Sequence, residues 1–577
     1  MFAIGNSIAR PPRKPAGVTA WFFLRDERGS VTAFAFFVFI IMLLVGGLAL
    51  DTMRHEMVRA RMQATLDRAV LAGARSSDAR EARATVEDYF AKADLAEYLE
   101  AEQEGDIAIH INSARVTARA SGTIDTVLMK LAGVDTLTAA GASTAEVRVP
   151  KLEISLVLDV SGSMSGAKLT SLKTAAKQFV STILETSTPG NAVISIVPFS
   201  WSVTPPQTVF ETLAVNVTHN YSTCLEFRAA DYQHATLTSG NSAFSNGVPV
   251  DQMIYTSAYG NFDNLDASWR SCYTDTYMEI LPYSMSENAL HTKIDALEAD
   301  GNTSGDEGMN WGAALLDPSF RQVSAQLIAR REMDASLAHI PANYNEPETL
   351  KVVVMMGDGA NTTSYVFDKS SPKYRGKHSD LFEVKFRGLE FKYAYHTFWN
   401  NISDDESRCG RLFWACVYEA SGPEQSAYYL RDPRRDRYWS IDDGSWITAN
   451  AFGNLENTLD GYVSTEQLSW DMAWGRMSPS YYQDITGDSR PWNDYVGSEQ
   501  VDSLEKDARM HAVCGATKGK GVVVYSIGFE VPNGGRAEQV LSDCASSTSH
   551  YYRANTTDIS SVFSSIAANV QNLRLTQ

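Results

Sequence analysis

Between Arg28 and Asp51 the chain runs for 22 residues without a charge, through Phe34-Ala35-Phe36-Phe37-Val38-Phe39-Ile40-Ile41-Met42-Leu43-Leu44-Val45. A helix of that length rises about 33 Å, enough to cross a hydrocarbon core of about 30 Å. A cleaved signal peptide would have an apolar core of only about 7–15 residues closed by a small-x-small site; this run is longer and carries no such site, so the reading is a retained transmembrane helix over residues 29–50. Lys and Arg are balanced around it: Arg10, Arg13, Lys14, Arg25 and Arg28 precede the run, and Arg54, Arg59, Arg61, Arg68 and Arg75 follow it. Positive charge therefore leaves the orientation tied. The six cysteines break the tie, because all of them follow the run and disulfides belong to an oxidising compartment. The expectation is a single-pass membrane protein, with a cytoplasmic tail over residues 1–28 and a large exported body.

The cysteines fall as Cys409 with Cys416, Cys514 with Cys544, and Cys224 left for Cys272. Three disulfides are expected, and the absence of a CxxC or Cys/His cluster argues against zinc. The net charge of −19 repels phosphate backbones, which disfavours nucleic acid as a partner.

After the apolar run, residues 52–74 continue a helical pattern and a second helix fits 79–98, followed by strand-like alternation at 107–111 and 114–120. Residues 51–149 thus read as a small α+β stalk with a spacing role. From residue 150 onward, buried strands at 152–158, 192–199, 351–356 and 521–529 alternate with helices near 167–185, 308–317, 503–518, 535–545 and 558–573. That alternation predicts an α/β fold, a doubly wound and mostly parallel sheet with helices on both faces. Two stretches, about 201–290 and 364–500, interrupt the pattern and hold most of the Tyr and Trp. They are too long for structureless loops and are expected to be folded insertions whose aromatics form small cores.

One constellation carries chemistry. Asp159-Val160-Ser161-Gly162-Ser163 stands between a buried strand and a helix, Thr303 opens another helix, and Asp358 ends a second buried strand. In a parallel sheet, ligands collect at the carboxyl ends of strands, where these three loops share a crevice. All five side chains are hard oxygen donors, which suit Mg2+ foremost, or Mn2+ or Ca2+. With few direct anionic ligands the ion would stay electrophilic and take a carboxylate from outside. The bland alternative is that Ser161 and Ser163 form the turn and cap the helix.

The strings ISLVLDVSGSM, GNTSGDEGMNWGAALL and VVVMMGDGANT resemble the von Willebrand factor A (VWA) domain and its metal-ion-dependent adhesion site. The resemblance implies a VWA domain over 150–577 with the two insertions, and a metal site made of Asp159, Ser161, Ser163, Thr303 and Asp358. It departs at Gly357, where the family commonly has Thr or Ser, which bears on a supporting hydrogen bond and not on a ligand. The segment ERGSVTAFAFFVFIIMLLVGGLALD, with the helix after it, is similar to the TadG-like proteins of the tight-adherence (Flp) pilus assembly system, which implies a single pass through a bacterial inner membrane with the body in the periplasm or at the cell surface. Relatives in that system can carry a prepilin-like cleavage signal after a glycine; here Phe34, not glutamate, stands fifth after Gly29.

Enzyme chemistries fit less well. Ser165-Gly166-Ala167-Lys168 matches SxxK without its companion elements. The GxSxG elbow fails at Met164, and an aspartyl phosphatase would need an acid where Ser161 stands. The expectation is a binding protein without catalytic or cofactor-binding residues. Its role is metal-dependent contact with a carboxylate-bearing protein, another pilus-assembly or envelope component. The alternative is cell adhesion, a surface adhesin engaging host or neighbouring cells through the metal site and the aromatic insertions.

Overall fold

The structure, a computed structural model, describes residues 28–573 apart from 77, 104, 111, 112, 149, 150, 245–247, 348, 370, 371, 400, 498 and 499. The expected cytoplasmic tail, Arg28 excepted, and the stalk boundary at residues 149 and 150 lie outside the described residues. The chain divides into two compact units, the first taking residues up to Ile109 together with Ser113–Val147, and the second taking the chain from Arg148 onward.

In the first unit the apolar run and the helical pattern after it are one continuous helix, α1 (Arg28–Gly73). It is long and apolar enough to cross a membrane. Its second half carries Met62, Leu66, Ala69 and Val70, which are buried against α2 (Ala79–Lys92) and a three-stranded sheet. That sheet holds β1 (Ile107–His110), β2 (Ser113–Asp125) and β3 (Thr136–Arg148) in the order β1-β2-β3. The sequence pattern does not reveal β3. Its alternate side chains are mostly Ala, Thr and Gly, which leave little hydrophobic periodicity to read.

The second unit is built on a six-stranded sheet of β4 (Lys151–Asp159), β5 (Ala192–Phe199), β6 (Leu281–Ser284), β7 (Thr349–Gly357), β8 (Val523–Phe529) and β9 (Tyr551–Ala554). The order is β6-β5-β4-β7-β8-β9. Every neighbouring pair is parallel except β6 on β5. The mixed α/β class with a mostly parallel sheet is therefore as expected. The edge strand β6 falls inside the stretch read as an insertion, so the first interruption closes before Leu281. Four residues containing Pro282 give too weak a strand signal, and proline is tolerated only at such an edge.

Both faces of the sheet are covered. Ile154, Leu156 and Leu158 of β4 pack with α3 (Ala167–Thr186), α4 (Glu287–Ala296) and α8 (Ile559–Leu573). Val157 packs on the opposite side with α5 (Gly305–Ala314), α6 (Ser503–Gly519) and α7 (Arg536–Cys544). Helix α5 begins three residues before its expected start, and Gly308 in it lies so close to the sheet that a Cβ there would sit 2.6 Å from the Phe199 ring. The chain leaves β4 toward β5 on one side while β7 lies on the other, so a crevice opens at their carboxyl ends.

The interruptions are folded. Residues 364–500 contain a five-stranded sheet and a separate three-stranded one. Their aromatic core of Phe367, Tyr374, Trp470, Trp474, Tyr482 and Tyr495 also takes in Ile254 and Ala258 of the first insertion, whose Phe227 and Tyr232 pack instead into the core of the main sheet. The disulfides pair Cys224 with Cys272, Cys409 with Cys416 and Cys514 with Cys544, as the spacing indicated.

Candidate metal centre

Strand β4 is buried from Leu152 to its last residue, and it delivers Asp159 to the crevice with no solvent exposure. The chain then turns tightly. Asp159 Oδ1 accepts the Ser161 backbone N–H at 2.9 Å, which fixes the carboxylate over the turn. A short 3-10 segment, Gly162–Met164, brings the two hydroxyls onto one side, with Ser161 Oγ and Ser163 Oγ 3.0 Å apart. Ser163 Oγ donates to Asp358 Oδ1 at 2.6 Å, and Asp358 stands directly after β7. Four of the five expected residues thus form one hydrogen-bonded cluster from two strands adjacent in space.

Thr303 arrives by a different route. The loop before α5 is pinned to the turn by backbone bonds, Gly162 N–H to Gly301 C=O at 2.8 Å and Asp300 N–H to Val160 C=O at 3.0 Å. The Thr303 carbonyl accepts the Thr362 N–H at 3.0 Å, and its own N–H donates to the Thr362 hydroxyl at 3.0 Å. Thr303 lines the same small cavity as Asp159, Gly357 and Asn361. Asn361 Oδ1 accepts the Gly305 N–H at 2.7 Å, so it caps α5 at the rim of the site.

Lys168 reads from sequence only as part of a chance SxxK. In the first turn of α3, its Nζ donates to Asp358 Oδ2 at 2.7 Å and lies 3.8 Å from Glu530. The amine is therefore committed to the carboxylate cluster and not to Ser165. Only the fold could show this, because its partner is 190 residues away.

The electrostatics fit a divalent cation. Burial, and then the charge of Asp358, push the Asp159 carboxyl up to about 7. Its Oδ2 has a single long contact, 3.4 Å from the Asp358 backbone N–H. At Gly357 a Cβ would stand 3.7 Å from that oxygen, so a glycine here offers it no side-chain partner. Two buried carboxylates with one lysine between them are under-compensated in a low-dielectric site, and the donors around them are hydroxyl and carboxylate oxygens. Among the described residues no group of three or more His, Cys, Asp or Glu side chains is placed to hold a metal. Any ion here would rest on two carboxylates and neutral hydroxyls.

Residues 29–76 match the family model described as putative Flp pilus-assembly TadE/G-like. Among curated proteins no relative matches. Solved structures similar to this chain include the vWF domain of the type V pili tip protein Mfa5 from Porphyromonas gingivalis, at 13% identity and a TM-score of 0.28, covering 73% of this chain and 95% of that one. The pilus adhesin SpaC from Lactobacillus rhamnosus GG matches at 11% identity and a TM-score of 0.27, over 82% of this chain but only 33% of its own. A point mutant of the PilB minor pilin from Streptococcus sanguinis matches at 14% identity and a TM-score of 0.26, covering 82% of this chain and 78% of that one.

Proposed function

We propose that this protein is an exported, membrane-anchored VWA protein of a tight-adherence (Flp) pilus system, which binds a partner carboxylate through a divalent cation during pilus assembly or anchoring. The observation that carries the binding chemistry is the Ser163–Asp358 contact. It joins the turn after β4 to the end of β7 at the switch point of a sheet covered by helices on both faces. The TadE/G-like match over residues 29–76 supports the pilus context, and α1 supports the anchor in the inner membrane. The three disulfides support a body on the exported side.

In this reading Asp159, Ser161, Ser163, Thr303 and Asp358 hold the ion, Mg2+ foremost, directly or through water. The ion would supply an electrophilic position for an outside carboxylate. The chain's own part is positioning. The Ser161 N–H orients Asp159, Ser163 orients Asp358, and the bonds to Gly301 and Thr362 hold the Thr303 loop in place. The role is binding, not catalysis.

The test is crosslinking and pull-down from cell envelopes, comparing wild type with Asp159→Ala, in Mg2+ and in chelator. A pilus component captured by wild type only, and only in Mg2+, is the expected result. Identical partners under all four conditions would remove the metal site as the docking point.

One observation favours a second reading, a surface adhesin. On the separate three-stranded sheet that carries Cys409–Cys416 and its connections, Phe398 and Ile402 are 70% exposed and Trp399 and Leu412 are 80% exposed, unlike the packed aromatics of the shared core. Labelling of this sheet by an impermeant reagent on intact cells would favour adhesion, since an inner-membrane assembly factor is shielded.

A further inference from the structure

The connection between β2 and β3 has an unusual composition for a loop. Residues 127–134 read Val-Leu-Met-Lys-Leu-Ala-Gly-Val, with one charge and no Asn, Asp, Ser or Pro. Loops in water are ordinarily built from those absent residues. While Leu128 and Met129 are partly buried, other apolar side chains of the loop face outward: Leu131 is 71% exposed, Val127 59% and Val134 36%.

The loop is nonetheless firmly held. Asp51, at the end of the charge-free run of α1, is 3% exposed. Its carboxylate accepts the backbone N–H groups of Leu128 and Met129 at 2.7 Å and of Val127 at 3.1 Å. Three donors satisfy a carboxylate that would otherwise be costly beside hydrocarbon. Further along, Leu128 lies over Gly47, where a Cβ would stand 2.5 Å from the Leu128 Cβ. Gly47 is four residues inside the charge-free run, about 6 Å along the helix axis from Asp51. The loop therefore reaches past the polar end of α1 and runs alongside its apolar part. Around it α1 exposes Leu44 at 41% and Leu48 and Leu50 at 50% each, so loop and helix present one continuous apolar surface.

We propose that residues 127–134 are a second membrane contact, inserted into the exported-side leaflet of the same bilayer that α1 crosses. Val127 and Leu131 enter the acyl region, and Lys130 reaches back to the headgroups, as long basic side chains do. The occupant follows from continuity: the surface that α1 presents to lipid extends without a break onto the loop. A second contact rigidly capped by Asp51 would fix the tilt and rotation of α1, which a lone helix leaves free. The proposal rests on the reading of α1 as a retained membrane anchor.

The cysteines are all paired among the described residues, so single-cysteine labelling is feasible. The experiment uses the full chain in nanodiscs of phosphatidylcholine and phosphatidylglycerol, with an environment-sensitive fluorophore on Leu131→Cys, Phe39→Cys or Glu456→Cys. Lipids brominated on the upper acyl chain serve as quenchers. Labels at 131 and 39 should shift to the blue and lose much of their emission, while 456 should behave as in water. Quenching at 39 with aqueous behaviour at 131 would overturn the loop insertion and leave the anchor standing. Aqueous behaviour at both would overturn the anchor reading and the loop with it.

Discussion

The Nζ of Lys168 bonds to Asp358 Oδ2 at 2.7 Å, which places the chain's own cation on the carboxylate cluster proposed to hold a divalent ion. Removing it has two opposed effects. Without metal, Lys168→Met leaves the fully buried Asp358 side chain with Ser163 as its remaining side-chain donor, and stability should drop by about 1–3 kcal/mol. With metal, a competing charge is gone, and the midpoint of Mn2+-dependent thermal stabilisation should fall by about five- to thirty-fold, equivalent to 1–2 kcal/mol. A melting series over Mn2+ concentration on both proteins decides it; equal midpoints would mean that Lys168 and the ion do not compete.

Glu153 and Lys351 form the buried pair of the main sheet, 2.6 Å apart with side chains 3% and 5% exposed. Lys351→Met strands the carboxylate and should cost about 3–5 kcal/mol. Adding Glu153→Gln, which keeps an acceptor for the Ala342 N–H, should restore most of that loss. Urea unfolding of the single and double variants measures the recovery.

Lys293 gives a pH signature away from the candidate metal centre. Burial pushes its amine down to about 8, with Glu279 opposing, while Nζ donates to the carbonyls of Thr276 and Tyr277. Its folded value lies below its unfolded value, so between the two the unfolded chain binds more protons. Stability should therefore rise with pH from about 8 toward 10.5, by at most about 1.4 kcal/mol per unit. The cost of charging this amine is fully present below that window. Lys293→Met should flatten the rise, as unfolding free energies at several alkaline pH values would show.

The packing of α5 on β5 is tight enough to test with one methyl. Gly308→Ala drives a Cβ into the Phe199 ring, and over-packing of this kind costs about 1–3 kcal/mol. The expected readout is a lower urea midpoint with an unchanged m-value.

Much of this is legible in the sequence, for identifiable reasons. Strands β4, β5 and β7 are predominantly apolar runs buried on both faces, broken only by single polar residues such as Glu153, Ser195 and Lys351, and such runs are the strongest signal a parallel sheet leaves in sequence. The Asp159 turn and Asp358 stand out because they sit at the ends of those runs. Lys168, Asn361 and Thr362 do not, since each works through a partner remote in sequence. The start of α5 is misplaced by the pattern because Gly305 and Gly308 mask the helical periodicity. The edge strand β6 escapes through its brevity and Pro282, and the shared core of the insertions joins segments more than a hundred residues apart, which local patterns do not report.

Asp159 and Asp358 meet at one site but are 199 residues apart in the chain. Synthesis proceeds from the N-terminus at about 5–20 residues per second, so roughly 10–40 s separate their appearance. During that interval the turn after β4 exists without its second carboxylate, and the growing chain lacks the crevice it will later present. Assembly of this carboxylate cluster is therefore a late event in the life of each molecule, set by when β7 takes its place beside β4.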